Sequence, residues 1–118
     1  MNTIRIVGVN IPQNIHISRG LTYIYGIGLT TAKVICTACN IKPDTKIVDL
    51  EEKALDSIRA YITQSDIVIG GDLLRQRLSN IKHLIAVKCY RGRRHLSRLP
   101  VRGQRTNCNS RTARRING

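Results

Sequence analysis

Phenylalanine and tryptophan are absent from this 118-residue sequence, and its only aromatic side chains besides histidine are four tyrosines. A core must therefore be assembled from Ile, Leu and Val with those tyrosines, and such a core is thin. Acidic residues are missing from residues 73–118: all seven lie between positions 44 and 72, at expected helix caps and on helix surfaces, where no paired-carboxylate site is evident. No run approaches the roughly 18 apolar residues of a membrane span. The opening MNTIRIVGVNIP enters an alternating apolar pattern at once and is read as leaving no room for a cleavable leader. Cys36, Cys39, Cys89 and Cys108 belong to a chain long enough to hold a core without staples, which favours a reducing compartment. Cys36-x-x-Cys39 lacks the second close pair of a zinc site and the βαβ setting of a redox dithiol, so both are expected as small packed thiols. His16, His83 and His95 are scattered, with no serine or carboxylate placed to complete a triad. Neither an active site, nor a metal, nor a cofactor is expected.

What the chain does hold is positive charge, placed unevenly. The formal net charge is +13, yet residues 1–72 sum to zero and thirteen Lys and Arg lie beyond them. Of the eleven basic residues from Lys82 onward nine are Arg, and LPVRGQRTNCNSRTARR (99–115) has five Arg and no Lys. A field of one sign repels itself unless a polyanion neutralises it. Guanidinium groups bind phosphate through a bidentate fork and stack on bases, which a merely solvated face would not require. An anionic membrane is the weaker candidate partner, because the apolar residues from Tyr90 on have no helical spacing and give no face to insert.

The length suits one domain plus a tail. IRIVGVNI (4–11) predicts a short extended arm stopped by Pro12, and residues 15–24 a short helix that Gly20 weakens. After the break at Gly26-Ile27-Gly28, Thr30 is placed to cap a helix whose Ala32, Ile35, Cys36 and Cys39 share a stripe. Asp49 and Glu52 have capping-box spacing ahead of a helix burying Leu50, Ala54, Leu55, Ile58, Tyr61 and Ile62. Asp72 is placed to cap the longest helix, about 73–88, with Leu74, Leu78, Ile81 and Ile85 on one side and Arg75 and Lys82 on another. From Tyr90 the periodicity ends. So polar a segment cannot offset the roughly 1–2 kcal/mol per residue lost on ordering its backbone, and is expected to order only on a partner. The boundaries that follow are a helical domain over 1–88 and a basic extended tail over 89–118.

The most specific local pattern is LTYIYGIGLTTAKVI (21–35). Leu21, Ile24, Gly26, Ile27, Gly28, Ala32 and Ile35 occupy every fixed position of a helix-hairpin-helix motif, in which glycines permit the turn and amides of the next helix face an anion without reading sequence. RIVGVNIP (5–12), LTYIYGIG (21–28), GGDL (70–73), CYRGRRH (89–95) and LPVRGQRT (99–106), in this order, resemble the bacterial-type family of small-ribosomal-subunit protein thirteen over essentially the whole chain.

The resemblance implies a mainly α protein, a small helical bundle of helix-two-turns-helix character with a long extended basic C-terminal tail. It implies a structural role in translation in the head of the small subunit, on a ribosome in an organelle (mitochondrion or plastid) or the bacterial cytoplasm. The implied partners are small-subunit ribosomal RNA, a neighbouring head protein, large-subunit bridge components and peptidyl-site transfer RNA, but no membrane. Position by position it carries over Gly26, Ile27 and Gly28, then Arg91, Gly92, Arg94 and His95, then Arg102, Gly103, Gln104 and Arg105. The charge and stacking argument adds Arg75, Lys82, Tyr90, Arg93, Arg111, Arg114 and Arg115 to the RNA-binding candidates. Departures from the family pattern fall at Arg19 and Gly20, at Arg98 where glycine is usual, at Asn107 where lysine is usual, and in the lysine-poor end. Two rival readings are a free-standing helix-hairpin-helix DNA-binding protein and a repair glycosylase or lyase, for which Lys33 has no evident acidic partner.

Overall fold

A computed structural model describes residues 2–116. It divides the chain into two compact units, the first ending at Leu73 and the second beginning at Leu74.

The first unit opens with strands β1 (Thr3–Ile6) and β2 (Val9–Pro12), paired antiparallel with Ile4 opposite Ile11 and Ile6 opposite Val9. The expected single arm is thus a hairpin. Val7 and Gly8 both have positive φ (48° and 80°), the two-residue geometry whose twist matches paired strands. The alternating pattern runs across this turn and conceals it.

Helix α1 (Ile17–Gly20) continues into a 3-10 turn over Leu21–Tyr23, and α2 (Leu29–Ala38) follows the glycine break. Gly20 proves to be a packing residue. A β-carbon there would lie 2.6 Å from Ile47 Cδ1 and 3.1 Å from Ile11 Cγ2, so glycine lets this turn approach the hairpin and the connector. At the end of α2, Asn40 takes φ 57°, the amide of Ile41 donates to the carbonyl of Cys36 and that of Asn40 to Thr37, closing a Schellman cap. The connector then lies along the entry to α1. The Ile17 amide donates to Thr45 O (2.9 Å), the Ile47 amide to Ile15 O (3.1 Å), and the His16 ring to the Asp44 carbonyl. His16 therefore secures a crossing.

Helix α3 (Glu52–Gln64) follows, tied to β1 by Arg59, which donates to Arg5 O (3.1 Å) and pairs with Asp56 (2.6 Å). Three expected caps are corrected here. The N-cap of α2 is Gly28 rather than Thr30, and that of α3 is Glu51, neither with a side-chain bond. Asp49 instead sits in a 3-10 turn (Ile47–Asp49), which uses up the residues that a capping box would have required. Helix α4 (Gly70–Val87) starts two residues before Asp72, which lies within its first turn, where a carboxylate suits the helix dipole.

The core of the first unit is Ile6, Ile11, Ile17, Leu21, Ile24, Ile27, Ala32, Ile35, Cys36, Ile47, Leu55, Ile58 and Ile62. Isoleucine supplies most of it. The expected tyrosines do not enter: Tyr61 packs at its edge, and Tyr23, Tyr25 and Tyr90 are exposed.

The second unit holds most of α4, then α5 (Tyr90–Leu96) and α6 (Arg111–Ile116). Lys88, at φ 60°, turns the chain out of α4. Cys89 caps α5 with its thiol, accepting from the Gly92 amide (3.3 Å) while donating to the Leu84 carbonyl (3.3 Å). Gly92 is buried, and a β-carbon there would collide with that carbonyl oxygen. This elbow needs glycine. Helix α5 ends in a second Schellman cap, Leu99 N to Arg94 O and Arg98 N to His95 O, with Arg98 at φ 58°. The segment expected to lack regular structure thus contains two short helices joined by an irregular stretch. The stripe of α4 is only partly covered: no residue of this helix is buried, and Leu74 is exposed.

Candidate nucleic-acid interface

The glycine hairpin assigns different work to its two glycines. Gly26 has φ 104°, and a β-carbon would meet Leu73 Cδ2 at 2.8 Å and Val68 O at 3.1 Å. The adjoining Tyr25 carbonyl accepts from the Gly70 amide (2.8 Å), which ties the turn to the start of α4. Ile27 is buried, as is Ala32 one turn into α2. Gly28 is different: its backbone is extended (φ −99°, ψ −179°) and nothing lies within 4 Å of where a β-carbon would stand. Its openness exposes the first amides of α2, which has no side-chain cap and no acid in its first turn. Beside it runs a groove lined by Ile15, Arg19, Thr22, Tyr23, Gly28 and Leu29. Sequence reasoning missed Arg19 and Tyr23 as members of this site, although their i,i+4 spacing on either side of Gly20 could have suggested a shared face.

In the second unit, Arg75 and Lys82 are exposed on α4, Arg91 and Arg93 on α5, Arg102 and Arg105 on the following loop, and Arg111, Arg114 and Arg115 on α6. Residues 73–118 contain no acidic side chain, so the side chains of this stretch carry charge of one sign. Arg94 is partly drawn inward: its Nε donates to Pro100 O (2.9 Å), and its guanidinium carbon lies 5.9 Å from the centroid of the Tyr90 ring. That stacking leaves Tyr90 68% exposed, an aromatic face held over a cation. Gly103 takes φ 71°, and Gln104 Oε1 accepts from the Arg102 amide (3.1 Å), so the loop is held by its own side chain. Arg114 donates to Ser110 Oγ (2.9 Å). His95, Arg102 and Gln104 come together around one cavity, with Asn109, Ser110 and Ala113 on its other side. The hairpin glycines belong to the first unit.

The cysteines form no metal cluster. All four are free thiols, and among the described residues no group of three or more His, Cys, Asp or Glu is placed to bind a metal. Burial pushes the Cys36 thiol above its ordinary value near 9.0, and neighbouring Cys39 adds to the rise. Both suit an inert packed thiol. No helix among the described residues is long and apolar enough to cross a membrane.

A family model described as ribosomal protein S13/S18 matches residues 5–112. The chain belongs to the ribosomal protein S13/S18 family. It is 51% identical over 108 residues to a small ribosomal subunit protein uS13 of Neorickettsia sennetsu, covering 92% of this chain and 87% of the relative. Against the uS13c proteins of Phaeodactylum tricornutum and Cyanophora paradoxa, identity is 47% and 49%, covering 94% and 93% of this chain and 90% and 86% of theirs. As an S13/S18 member the chain is a structural constituent of the small ribosomal subunit and not an enzyme, with ribosomal RNA and the ribosome as partners. It resides on the ribosome, in an organelle or the bacterial cytoplasm.

Proposed function

We propose that the chain grips small-subunit ribosomal RNA at two places: backbone amides at Gly28 and the start of α2, and the arginines of the second unit. Arg75, Lys82, Arg91, Arg93, Arg102, Arg105, Arg111, Arg114 and Arg115 meet phosphates, while Tyr90, backed by Arg94, offers a stacking face. The observation that carries this reading is a unit with thirteen Lys and Arg in residues 73–118 and no acid among them. Within that frame, residues 1–88 act as the docking domain, and residues 89–118 as the basic segment that settles onto RNA. Contact with a neighbouring head protein, a contribution to bridging toward the large subunit, and an approach of the C-terminal end to peptidyl-site transfer RNA follow from the family resemblance. Residues 117 and 118 of that end lie outside the described residues.

Salt dependence of binding to a small-subunit ribosomal RNA transcript tests the grip. If about eight arginines each neutralise one phosphate, the log–log slope is about −6. A slope of about −1 would remove the second unit as the binding element. Truncation after Lys88 should leave a helical, cooperatively melting protein with greatly weakened RNA affinity, and competition by duplex DNA should fail.

A further inference from the structure

We propose that the cavity of the second unit receives a single unstacked nucleobase of the RNA. The inference rests on the RNA-binding reading above and adds to it a ligand and a place. The cavity, of about 360 Å³, lies between the C-terminal end of α5 at His95, the loop Pro100–Gln104, and the segment Asn109–Ala113 that begins α6. Its size falls at the small end of ligand sites. That leaves room for one flat ring system and excludes a helix.

The walls are built rather than incidental. Pro100 is buried, and its carbonyl is held by Arg94 Nε at 2.9 Å. Ser110, 3% exposed, donates to Thr106 O (3.4 Å) and accepts from Arg114 (2.9 Å), which secures the opposite side. Pro100, Val101 and Ala113 supply an apolar lining. A free phosphate has no use for such a surface, whereas the faces of a base do. The amides of Gln104 and Asn109 and the hydroxyl of Thr112 offer donors and acceptors, the mixture that matches the edge of a base splayed from its strand. Because Gln104 Oε1 already accepts from the Arg102 amide, the side chain is oriented and its amide hydrogens remain for a base acceptor. Arg102, Arg105 and Arg111 flank the opening in sequence, where the ribose-phosphate on either side of the captured base would pass. An apolar protein side chain would leave the amides unanswered.

The test uses the full chain and a small-subunit ribosomal RNA transcript from which single bases have been removed at random, sparing sugar and phosphate. Ala113→Leu fills the cavity without changing charge. Gln104→Ala removes an edge reader without crowding α6, and so serves if the leucine disturbs that helix. The expected result is one nucleotide position at which base loss weakens the wild-type complex about tenfold, the scale of one captured base. Ala113→Leu should weaken the intact RNA complex to a similar extent, with its salt slope unchanged, and should erase the effect of base loss at that position. Gln104→Ala should reduce it. Wild-type affinity in either variant, or the same base-removal pattern in wild type and both variants, overturns the proposal while leaving phosphate binding intact. A wild-type complex insensitive to salt would instead overturn the RNA reading beneath it.

Discussion

Gly26 and Gly28 are two residues apart in one motif, and the structure predicts opposite consequences for replacing them. At Gly26→Ala the methyl meets Leu73 Cδ2 at 2.8 Å and the Val68 carbonyl oxygen at 3.1 Å, on a backbone of φ 104°. Holding a non-glycine residue in such a conformation costs about 1–3 kcal/mol, while the flexible end of Leu73 can swing aside and the Val68 carbonyl need give only slightly. A loss of about 1–3 kcal/mol is a substantial share of the roughly 5–15 kcal/mol that a small domain has. With a urea dependence of about 1–3 kcal/mol per molar, the midpoint should fall by roughly 1 M. Gly28→Ala meets no neighbour within 4 Å and keeps an extended backbone. There the weaker N-cap preference of alanine and the reduced freedom of the unfolded chain nearly cancel, leaving stability within about 0.5 kcal/mol. Its methyl projects where a phosphate would approach, so RNA affinity should drop while the melt stays put. Urea unfolding followed by far-ultraviolet circular dichroism, paired with RNA titration, separates the two. If Gly26→Ala cost under about 1 kcal/mol, or if Gly28→Ala proved equally damaging, the division of labour argued from the φ angles and open space would be refuted.

Val7→Asn should stabilise the first unit by about 1 kcal/mol, because a β-branched residue at φ 48° is replaced by one that tolerates the left-handed region; an unchanged urea midpoint would contradict this. Arg98→Gly should relieve a similar strain of about 1 kcal/mol in the Schellman cap of α5, read as a raised urea midpoint; a midpoint that falls would contradict this. Since burial holds the Cys36 thiol above the 9.0 it has when unfolded, the unfolded chain ionises first and stability should fall as pH rises past about 9. Cys36→Val should show less of that fall in parallel urea titrations; identical slopes would dismiss the burial argument.

Much of the helical framework was legible because periodicity survives in residue types. Ala32, Ile35 and Cys36 at steps of three and one lie on the buried face of α2, and Leu55, Ile58 and Ile62 on that of α3. The N-terminal hairpin was not legible, since only a φ value reveals that Val7 and Gly8 form a turn and not one more step of an alternating strand. Helix α5 was hidden for a related reason. Its glycine reads as a breaker until its contact with Leu84 O is seen, and its cap is a thiol, outside the usual hydroxyl and carboxylate set. Capping signals at Thr30, Asp49 and Asp72 misplaced helix starts by two or three residues: Asp49 is taken by a 3-10 turn, whereas α2, capped by Gly28, and α4, which begins at Gly70, enclose Thr30 and Asp72 in their first turns. For the candidate interface, the charge asymmetry was open to inspection in the composition. The cavity was not, since it depends on His95 and Ala113, eighteen positions apart, lining the same space.

The isoleucine-built interior also decides which optical signals carry information. Tyr23, Tyr25 and Tyr90 stand in solvent, Tyr61 rests at the margin, and the chain has no indole. Unfolding in denaturant therefore moves few chromophores from dry to wet surroundings, and ultraviolet emission will trace the loss of this interior only faintly. Under the proposed function, Tyr90 is the phenol that a stacked base would quench. On the proposed reading, a change in tyrosine emission on adding RNA reports docking at Tyr90, and dichroism reports folding.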